Sequence, residues 1–366
     1  MKTNRMQRRE FIKTSGWVAT GAALAGLPSS VLAGEKELAV PTFDRLPRWR
    51  GFNLLEKFDA NHQQPFLESD YAWLAELGFN FTRLPLSYRC WSAPTDWGNL
   101  RDESLKEVDQ AVAYGRQYGI HVNLNFHRAP GYCVNPPKEP LSLWEDETAL
   151  AACAHHWAQF AKRYRDIPNT QVSFDLLNEP PDIPEATYRR VVQRLVEAIR
   201  QEDPDRLIIA DGLKWGTQPV PSLKELKVAQ STRGYTPMRI SHHQASWIGG
   251  SNKWDEPSWP LLLPDGKGYD KERLRKECVQ PWVDLQAKGV GVHVGEWGAF
   301  NRTPHPVVLA WMRDQLDLWK AAGWGWSVWN FRGAFGPLDS SRSDVVYEDF
   351  HGHKLDRKMM DLLTAG

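Results

Sequence analysis

The sequence predicts a single (β/α)8 TIM barrel, an α/β fold in which eight parallel strands alternate with helices and carry long βα loops. The chain has 366 residues, enough for one barrel of about 250 residues with insertions. From residue 34 onward, short apolar runs alternate eight times with segments of helical period. No Gly-x-Gly-x-x-Gly follows a predicted strand, which argues against an open dinucleotide-binding sheet.

The predicted strands share short runs rich in β-branched and aromatic residues. They are Trp49–Leu54, Phe79–Leu84, Ile120–Phe126, Gln171–Leu176, Arg206–Ala210, Lys227–Thr232, Gly291–Gly295 and Gly325–Trp329. Helical patterns between them include Ser104–Tyr118, Thr148–Tyr164, Glu185–Glu202, Lys271–Lys288 and Pro306–Ala321. Pro, Gly and Trp concentrate in Ala129–Pro140, Trp215–Pro221 and Trp247–Gly268, which are predicted βα loops on the functional face of the barrel.

The N-terminus is typical of a twin-arginine export signal rather than of a folded element. Arg8 and Arg9 precede a mildly apolar run, Gly16–Leu27, which is too short for a permanent membrane anchor. Small residues before and at Ala33 predict cleavage there, so residues 1–33 form the signal and residues 34–366 the mature domain. The predicted location is therefore periplasmic or extracellular. The alternative is a basic arm preceding an ordinary helix.

Composition excludes some classes of partner. Lys plus Arg and Asp plus Glu both total 45, so no basic field exists for nucleic acid or an anionic membrane. Hydrophobic residues make up 42% and charged residues 25%, as in a soluble globular protein. The 18 Trp residues suit stacking against sugar rings, although burial in the core also explains Trp. We expect a monomer.

Cysteine and histidine spacing does not predict a metal site or a cofactor. Cys90, Cys133, Cys153 and Cys278 lack paired metal-ligand spacing, and free thiols are expected. A disulfide between Cys90 and Cys133 remains an alternative, because both follow neighbouring predicted strands. The triplet His351-Gly352-His353 follows the eighth strand, where a surface or helix-start role is favoured over zinc binding.

Two glutamates stand at the ends of predicted strands. Glu179, between Asn178 and Pro180, follows the fourth strand, and Glu296 ends the seventh. In a closed barrel both side chains can point into one cup, where hydrolysis of a glycoside needs an acid and a nucleophile. Burial and the charge of Glu296 would keep a proton on Glu179. The pattern therefore predicts Glu179 as the acid/base and Glu296 as the nucleophile of a retaining β-glycosidase.

At these positions the mature domain resembles glycoside hydrolase family 5, which includes cellulases, mannanases and related β-glycanases. Six segments carry the resemblance, in order along the predicted strands: Arg50-Gly51-Phe52-Asn53, Arg83 in Phe81–Pro85, His127 in His127–Gly131, Asn178-Glu179-Pro180, Gly295-Glu296-Trp297-Gly298 and Trp329-Asn330. The tail segments Phe335–Asp339 and His353–Asp356 resemble the endoglucanase-like branch.

The resemblance implies roles that the residue types can fill. Arg83 would donate to the Glu296 carboxylate, and Asn178 would hold the sugar 2-hydroxyl. His127 would exchange hydrogen bonds with hydroxyls of the sugar being cleaved. Trp329 would form the apolar floor beneath that sugar.

One segment departs from the family pattern of His-x-Tyr after the sixth strand. Here the best register is Arg233-Gly234-Tyr235, so Tyr235 keeps its expected bond to the nucleophile while Arg233 replaces the histidine. We expect Arg233 to partner a carboxylate or a pair of sugar hydroxyls. The competing register uses His242, after which no Tyr follows. We interpret His242 and Trp247 as loop residues near the sugar subsites, and the alternative is that they only pack within the loop. Trp215, after the fifth strand, has the same two interpretations.

The predicted activity is hydrolysis of a β-linked glucan or a related oligo- or polysaccharide by double displacement, as in an endo-β-glucanase or cellulase. A β-mannanase or an exo-β-glucosidase of the same family is the alternative. From a different class, a noncatalytic carbohydrate-binding barrel would have similar Trp-rich loops but would not explain the two glutamates.

Overall fold

A computed structural model describes residues 40–263, 265–266 and 268–366. The predicted export signal, with Arg8, Arg9 and the cleavage point at Ala33, lies outside these residues. Within this range, no helix has the length and apolar character needed to cross a bilayer.

Eight parallel strands form a closed barrel, as the sequence predicts. They are β1 (Arg50–Asn53), β2 (Phe81–Ser87), β3 (His121–Ala129), β4 (Val172–Asp175), β5 (Ile208–Asp211), β6 (Ala229–Gly234), β7 (Val292–Trp297) and β8 (Gly325–Val328). Each strand pairs with its neighbours in the chain, and β8 pairs with β1 to close the ring. All eight C-terminal ends therefore open onto one face.

Helices surround the barrel. The longer ones are Glu68–Glu76, Asp102–Tyr118, Glu147–Tyr164, Glu185–Glu202, His305–Ala322 and Arg357–Ala365. The segment predicted as one helix over Lys271–Lys288 is α-helical at Lys271–Leu274 and Gln280–Gln286, with a π-helical turn at Arg275–Val279 between them. After β5 the chain forms only a short turn, Leu213–Gly216, and a 3-10 helix, Pro221–Leu226.

Several strands extend further toward the open face than predicted. The sequence places the ends of β3 and β6 at Phe126 and Thr232, whereas the strands continue to Ala129 and Gly234. Polar residues such as His127 and Arg233 end the apolar runs, yet both are buried in the barrel. The apolar pattern therefore marks the strand centres, while functional side chains occupy the last ladder positions.

Two kinds of packing hold the barrel. Apolar side chains fill the layer between strands and helices, where Phe126 stacks on Trp157 with ring centroids 3.9 Å apart. Inside the barrel, Trp49, Phe81 and Leu207 close the end where the strands begin, and ionisable side chains occupy the opposite end.

Cys90 and Cys133 are both free thiols, so the disulfide alternative is not formed.

Candidate active site

Glu179 lies four residues beyond the last residue of β4, with a backbone held on both sides. Its φ of 51° is in the left-handed region, which is uncommon for a residue other than glycine. Its N–H donates to Asp211 Oδ2 at 2.8 Å, and its carbonyl accepts a bond from the Tyr132 hydroxyl at 2.5 Å. These two side chains fix the direction of Glu179 in an unusual backbone conformation.

Glu296 lies on β7 and is surrounded by donors. Arg83 Nη1 donates to its Oε1 at 2.6 Å, and the Tyr235 hydroxyl donates to its Oε2 at 3.2 Å. Arg233 Nη2 is 3.3 Å from Oε1. Burial and the charge of Glu296 raise the pKa of Tyr235 well above its usual value, so its hydroxyl keeps the proton that it donates. These contacts stabilise Glu296 as an anion.

Glu179 has a different environment. Arg233 Nε donates to its Oε1 at 3.1 Å. Burial raises the pKa of Glu179, the charge of Glu296 raises it further, and Arg233 does not outweigh them. Glu179 therefore favours its protonated form, while the carboxyl group of Glu296 is surrounded by donors. This difference suits a site that needs one acid and one nucleophile.

Arg83 connects four strands beneath the glutamates. Besides Glu296, it donates to Asp175 Oδ2 at 2.7 Å, Asn53 Oδ1 at 3.0 Å and Asn178 Oδ1 at 2.9 Å. The side chain is fully buried. Asn178 Oδ1 also accepts from Arg233, and its amide nitrogen lies 3.4 Å from His127 Nε2. The amide has two N–H groups, so one can contact His127 while the other faces a sugar hydroxyl.

His127 and Trp329 form one wall of the cup, with ring centroids 5.5 Å apart. Phe58, from the loop after β1, packs edge-on against both, at 4.7 and 5.6 Å. Burial lowers the pKa of His127 well below its usual value, and the nearby arginines lower it further, so the ring is neutral and can accept a hydrogen bond. The wall combines an apolar surface with a neutral polar edge, which suits a sugar ring.

Tyr235 begins an aromatic cluster on the other side of Glu296. His242 packs edge-on against Tyr235 at 5.1 Å and against Trp247 at 6.1 Å, and Phe335 contacts all three rings. Burial lowers the pKa of His242 to about 4. The structure thus brings Arg233 and Tyr235 to the glutamates and places His242 behind Tyr235. Trp247 is 56% exposed at the rim.

Trp215 lies beside the loop that carries Glu179. Its N–H donates to the Pro180 carbonyl at 2.8 Å, and its φ of 58° turns the chain sharply there. The residue is 50% exposed. Trp215 is therefore anchored through its backbone to the residue after Glu179 and stays half exposed.

Of the two partners expected for Arg233, a carboxylate or a pair of sugar hydroxyls, the structure shows carboxylates. It forms a two-pronged ion pair with Asp211 on β5 and touches both glutamates. Sequence reasoning missed Asp211, Asp175 and Phe58. A signal existed for the two aspartates, since each directly ends an apolar strand run, whereas Phe58 lies in a loop without periodicity.

Metal binding is not supported by the histidine triplet. His351 Nε2 lies 3.0 Å from Glu76, and His353 Nδ1 lies 2.6 Å from Asp339. Across the described part of the chain, no group of three or more His, Cys, Asp or Glu side chains could hold a metal ion.

Comparison with known proteins agrees with this geometry. Residues 43–334 match the family model described as Cellulase (glycosyl hydrolase family 5). Endoglucanase C of Acetivibrio thermocellus is 23% identical over 302 residues, covering 75% of this chain and 87% of the relative. A solved structure titled as a glycoside hydrolase is 40% identical, with a TM-score of 0.82 over 87% of this chain and 99% of its own.

Thermotoga maritima Cel5A, solved in a mutant form with cellobiose, is 21% identical with a TM-score of 0.71, over 87% of this chain and 96% of its own. The fold, the cup with two carboxyl groups and the family match define an O-glycosyl hydrolase acting on β-glycosides. The chain belongs to glycosyl hydrolase family 5, the cellulase family.

Proposed function

We propose that this enzyme is a retaining endo-β-glucanase in which Glu179 is the acid/base and Glu296 the nucleophile. The carrying observation is the unequal environment of the two carboxyl groups around one guanidinium. Glu296 accepts from Arg83 and Tyr235 in addition to Arg233, whereas the side chain of Glu179 contacts Arg233 alone among these donors.

The mechanism follows from those environments. Glu296 attacks the anomeric carbon while Glu179 gives its proton to the leaving glycosidic oxygen, which forms a covalent glycosyl-enzyme. Glu179, now a carboxylate, then takes a proton from a water molecule as that water attacks the anomeric carbon. The bond between the sugar and Glu296 breaks, and the sugar leaves with its original anomeric configuration. Neutral His127 and the Asn178 amide bind hydroxyls of the reacting sugar, and Trp329 packs beneath it.

An extended substrate is supported by exposed rings and a cavity around the two glutamates. Trp215, beside the acid/base loop, and Trp247, near Phe335, each offer an exposed ring on a different βα loop. A further cavity lies between the loops after β1 and β8, lined by Glu56 and Arg332 among others. Space and stacking surfaces on more than one side of the glutamates favour endo action on a glucan chain.

The sugar is tested by hydrolysis of defined polysaccharides: carboxymethylcellulose, mixed-linkage β-glucan, glucomannan and mannan. An endo-glucanase should release oligosaccharides of several lengths from the glucans at early times. Preferential cleavage of pure mannan would favour a mannanase instead, and release of glucose alone would favour an exo-glucosidase. Binding to these polymers without any cleavage would indicate a noncatalytic sugar-binding barrel.

The two glutamates are tested by chemical rescue. Glu296→Gly should be inactive on an activated aryl β-glycoside and should recover turnover with azide, yielding an α-glycosyl azide, because azide attacks from the face that Glu296 vacates. Glu179→Ala should give the β-glycosyl azide. The same azide anomer from both variants would contradict the assignment.

We further propose that the enzyme is exported by the twin-arginine route, on the basis of Arg8, Arg9 and the run that follows. Replacing both arginines with lysine should retain the enzyme inside the cell, because the pair is recognised by a receptor. Cell fractionation followed by the glycosidase assay measures this. Undiminished export of the double-lysine variant would contradict the proposal.

A further inference from the structure

We propose that Asp211 and Arg233 act as one charge-balanced positioning pair, which keeps Glu179 protonated and aimed at the leaving oxygen. The proposal rests on the acid/base role given to Glu179 above. Arg83 and Asp175 already form one buried aspartate-arginine pair beneath the glutamates. Asp211 and Arg233 are a second such pair, which the two-carboxylate mechanism does not by itself require.

The pair is joined side by side. Arg233 Nη1 donates to Asp211 Oδ1 at 3.0 Å, and Nη2 donates to Oδ2. The Arg233 side chain is 2% exposed and that of Asp211 is fully buried. Two parallel bonds between planar groups fix the guanidinium plane, which directs Nε at Glu179.

Arg233 has no room to reach a sugar. A Cβ on Gly216 would lie 2.7 Å from Arg233 Cγ, and one on Gly295 would lie 2.8 Å from Nη1. The guanidinium N–H groups are also given to Ser231 Oγ, the Thr232 carbonyl and Asn178 Oδ1. Arg233 therefore acts through other protein groups rather than by binding substrate.

Asp211 also fixes the backbone of the acid/base. The same Oδ2 that Arg233 contacts accepts the Glu179 N–H at 2.8 Å. The Asp211 carbonyl in turn accepts from the buried Tyr188 hydroxyl at 2.7 Å. One aspartate thus holds both the cation next to the Glu179 carboxyl and the left-handed peptide that aims it.

The charges explain why the two residues belong together. A lone guanidinium 3.1 Å from Glu179 would favour the carboxylate, which cannot protonate a leaving group. Asp211 offsets that charge. The titratable groups that face Glu179 from all sides are Glu296, Asp211, Arg233, Tyr132 and Tyr235, with Arg83 and Asp175 beneath.

Removing either member should move the proton affinity of Glu179 in opposite directions. Asp211→Asn keeps the shape and one acceptor but leaves Arg233 unbalanced, so the pKa of Glu179 falls. Arg233→Met leaves Asp211 unbalanced, so that pKa rises. The basic limb of kcat/KM against pH reports this group, because the acid must be protonated in the free enzyme.

The experiment measures pH profiles of the full-length mature enzyme on an aryl β-cellobioside with a poor leaving group. We expect the basic limb to move down by about one pH unit or more in Asp211→Asn and up in Arg233→Met. In the double variant it should return toward the wild-type position. Asp211→Asn should also lose about ten-fold more activity on a phenyl than on a 2,4-dinitrophenyl glycoside, since the latter needs little acid assistance.

Asp203→Asn is the matched control. It breaks another buried aspartate-arginine pair, Asp203 with Arg206, at the opposite end of the barrel. We expect Asp203→Asn to lower the free energy of unfolding and to leave the basic limb of kcat/KM against pH where it is in wild type. Arg233→His serves if Arg233→Met does not fold, and it too should move the limb upward.

A second readout does not depend on turnover. The carboxyl infrared band that wild type has and Glu179→Gln lacks should titrate at lower pH in Asp211→Asn and at higher pH in Arg233→Met. Unmoved limbs and bands, or shifts of the same sign in both variants, would overturn the proposal while leaving an active glycosidase. A wild-type enzyme that cleaves no glycoside would instead refute the proposed function, and the infrared titration would still decide the pairing.

Discussion

Where the barrel strands begin, His121 and His293 lie against Trp49 and Phe81, whereas at the opposite end Arg83 and Arg233 lie among four carboxyl groups. Burial lowers the pKa of both histidines to about 3, so they are held neutral. The arginines are as deeply buried but have ion partners. An ionisable group inside this barrel keeps its charge only where the opposite charge is buried with it.

The largest expected effect comes from removing a charge at the open end. Glu296→Gln should lower kcat by at least about a thousand-fold, because the amide cannot attack the anomeric carbon. Glu179→Gln should cost a similar factor with poor leaving groups. Both are measured on an aryl β-cellobioside, with circular dichroism to verify folding. Near-wild-type turnover of Glu296→Gln would remove the distinction between the two ends.

Arg83→Met tests whether a buried, paired cation contributes to turnover as well as to the free energy of unfolding. We expect about a hundred-fold loss of kcat, because Glu296 loses its shortest donor, and about 3–5 kcal/mol of lost unfolding free energy. Arg206→Met is the comparison, since Arg206 is equally buried near the closed end and donates to the Tyr164 and Val172 carbonyls. Urea unfolding should register both changes, but kcat should fall only for Arg83→Met. Equal losses of kcat would contradict this difference.

At the rim, Trp247→Ala should raise KM by about ten-fold on long glucans, equivalent to ~1.4 kcal/mol of binding, and change kcat little. The same replacement should have less effect on a short aryl glycoside. Leu262→Ala, on the same long loop and 80% exposed, is the control. A fall in kcat with unchanged KM would mean that Trp247 supports Tyr235 rather than the substrate.

The smallest effect on turnover is expected for His293→Leu at the closed end. His293 is buried with neither ring nitrogen hydrogen-bonded, so the folded pKa lies below the value of about 6.5 in the unfolded chain. Stability from this neutral ring is therefore present above pH 6.5 and decreases as pH falls, by about 1.4 kcal/mol per pH unit. His293→Leu should make the loss of stability between pH 6 and pH 4 less steep by that amount. Urea unfolding at several pH values measures it, and an unchanged slope would contradict it.

The apolar periodicity was sufficient to predict the order of the eight strands and the positions of Glu179 and Glu296 at their ends. It could not identify Asp211 as the partner of Arg233. The space around that side chain depends on Gly216, in the turn after β5, and on Gly295, on β7, which are far apart in the sequence. The predicted ends of β3 and β6 are too early because the apolar pattern stops at the first polar residue. His127 and Arg233 are polar but occupy buried ladder positions. The contacts of Phe58 with His127 and Trp329 could not be predicted, because a loop without periodicity does not indicate which way a ring points.

Arg83 also has a consequence for how the chain folds. Its side-chain bonds reach residues 30, 92, 95 and 213 positions away, so no local segment can satisfy it. In a partly assembled barrel that lacks β7, the guanidinium would be buried without one of its anions, or would hold the strand end in water. Such intermediates are penalised relative to the closed ring. The arrangement favours all-or-none closure of the barrel, so the arginine that donates to Glu296 also opposes misassembly.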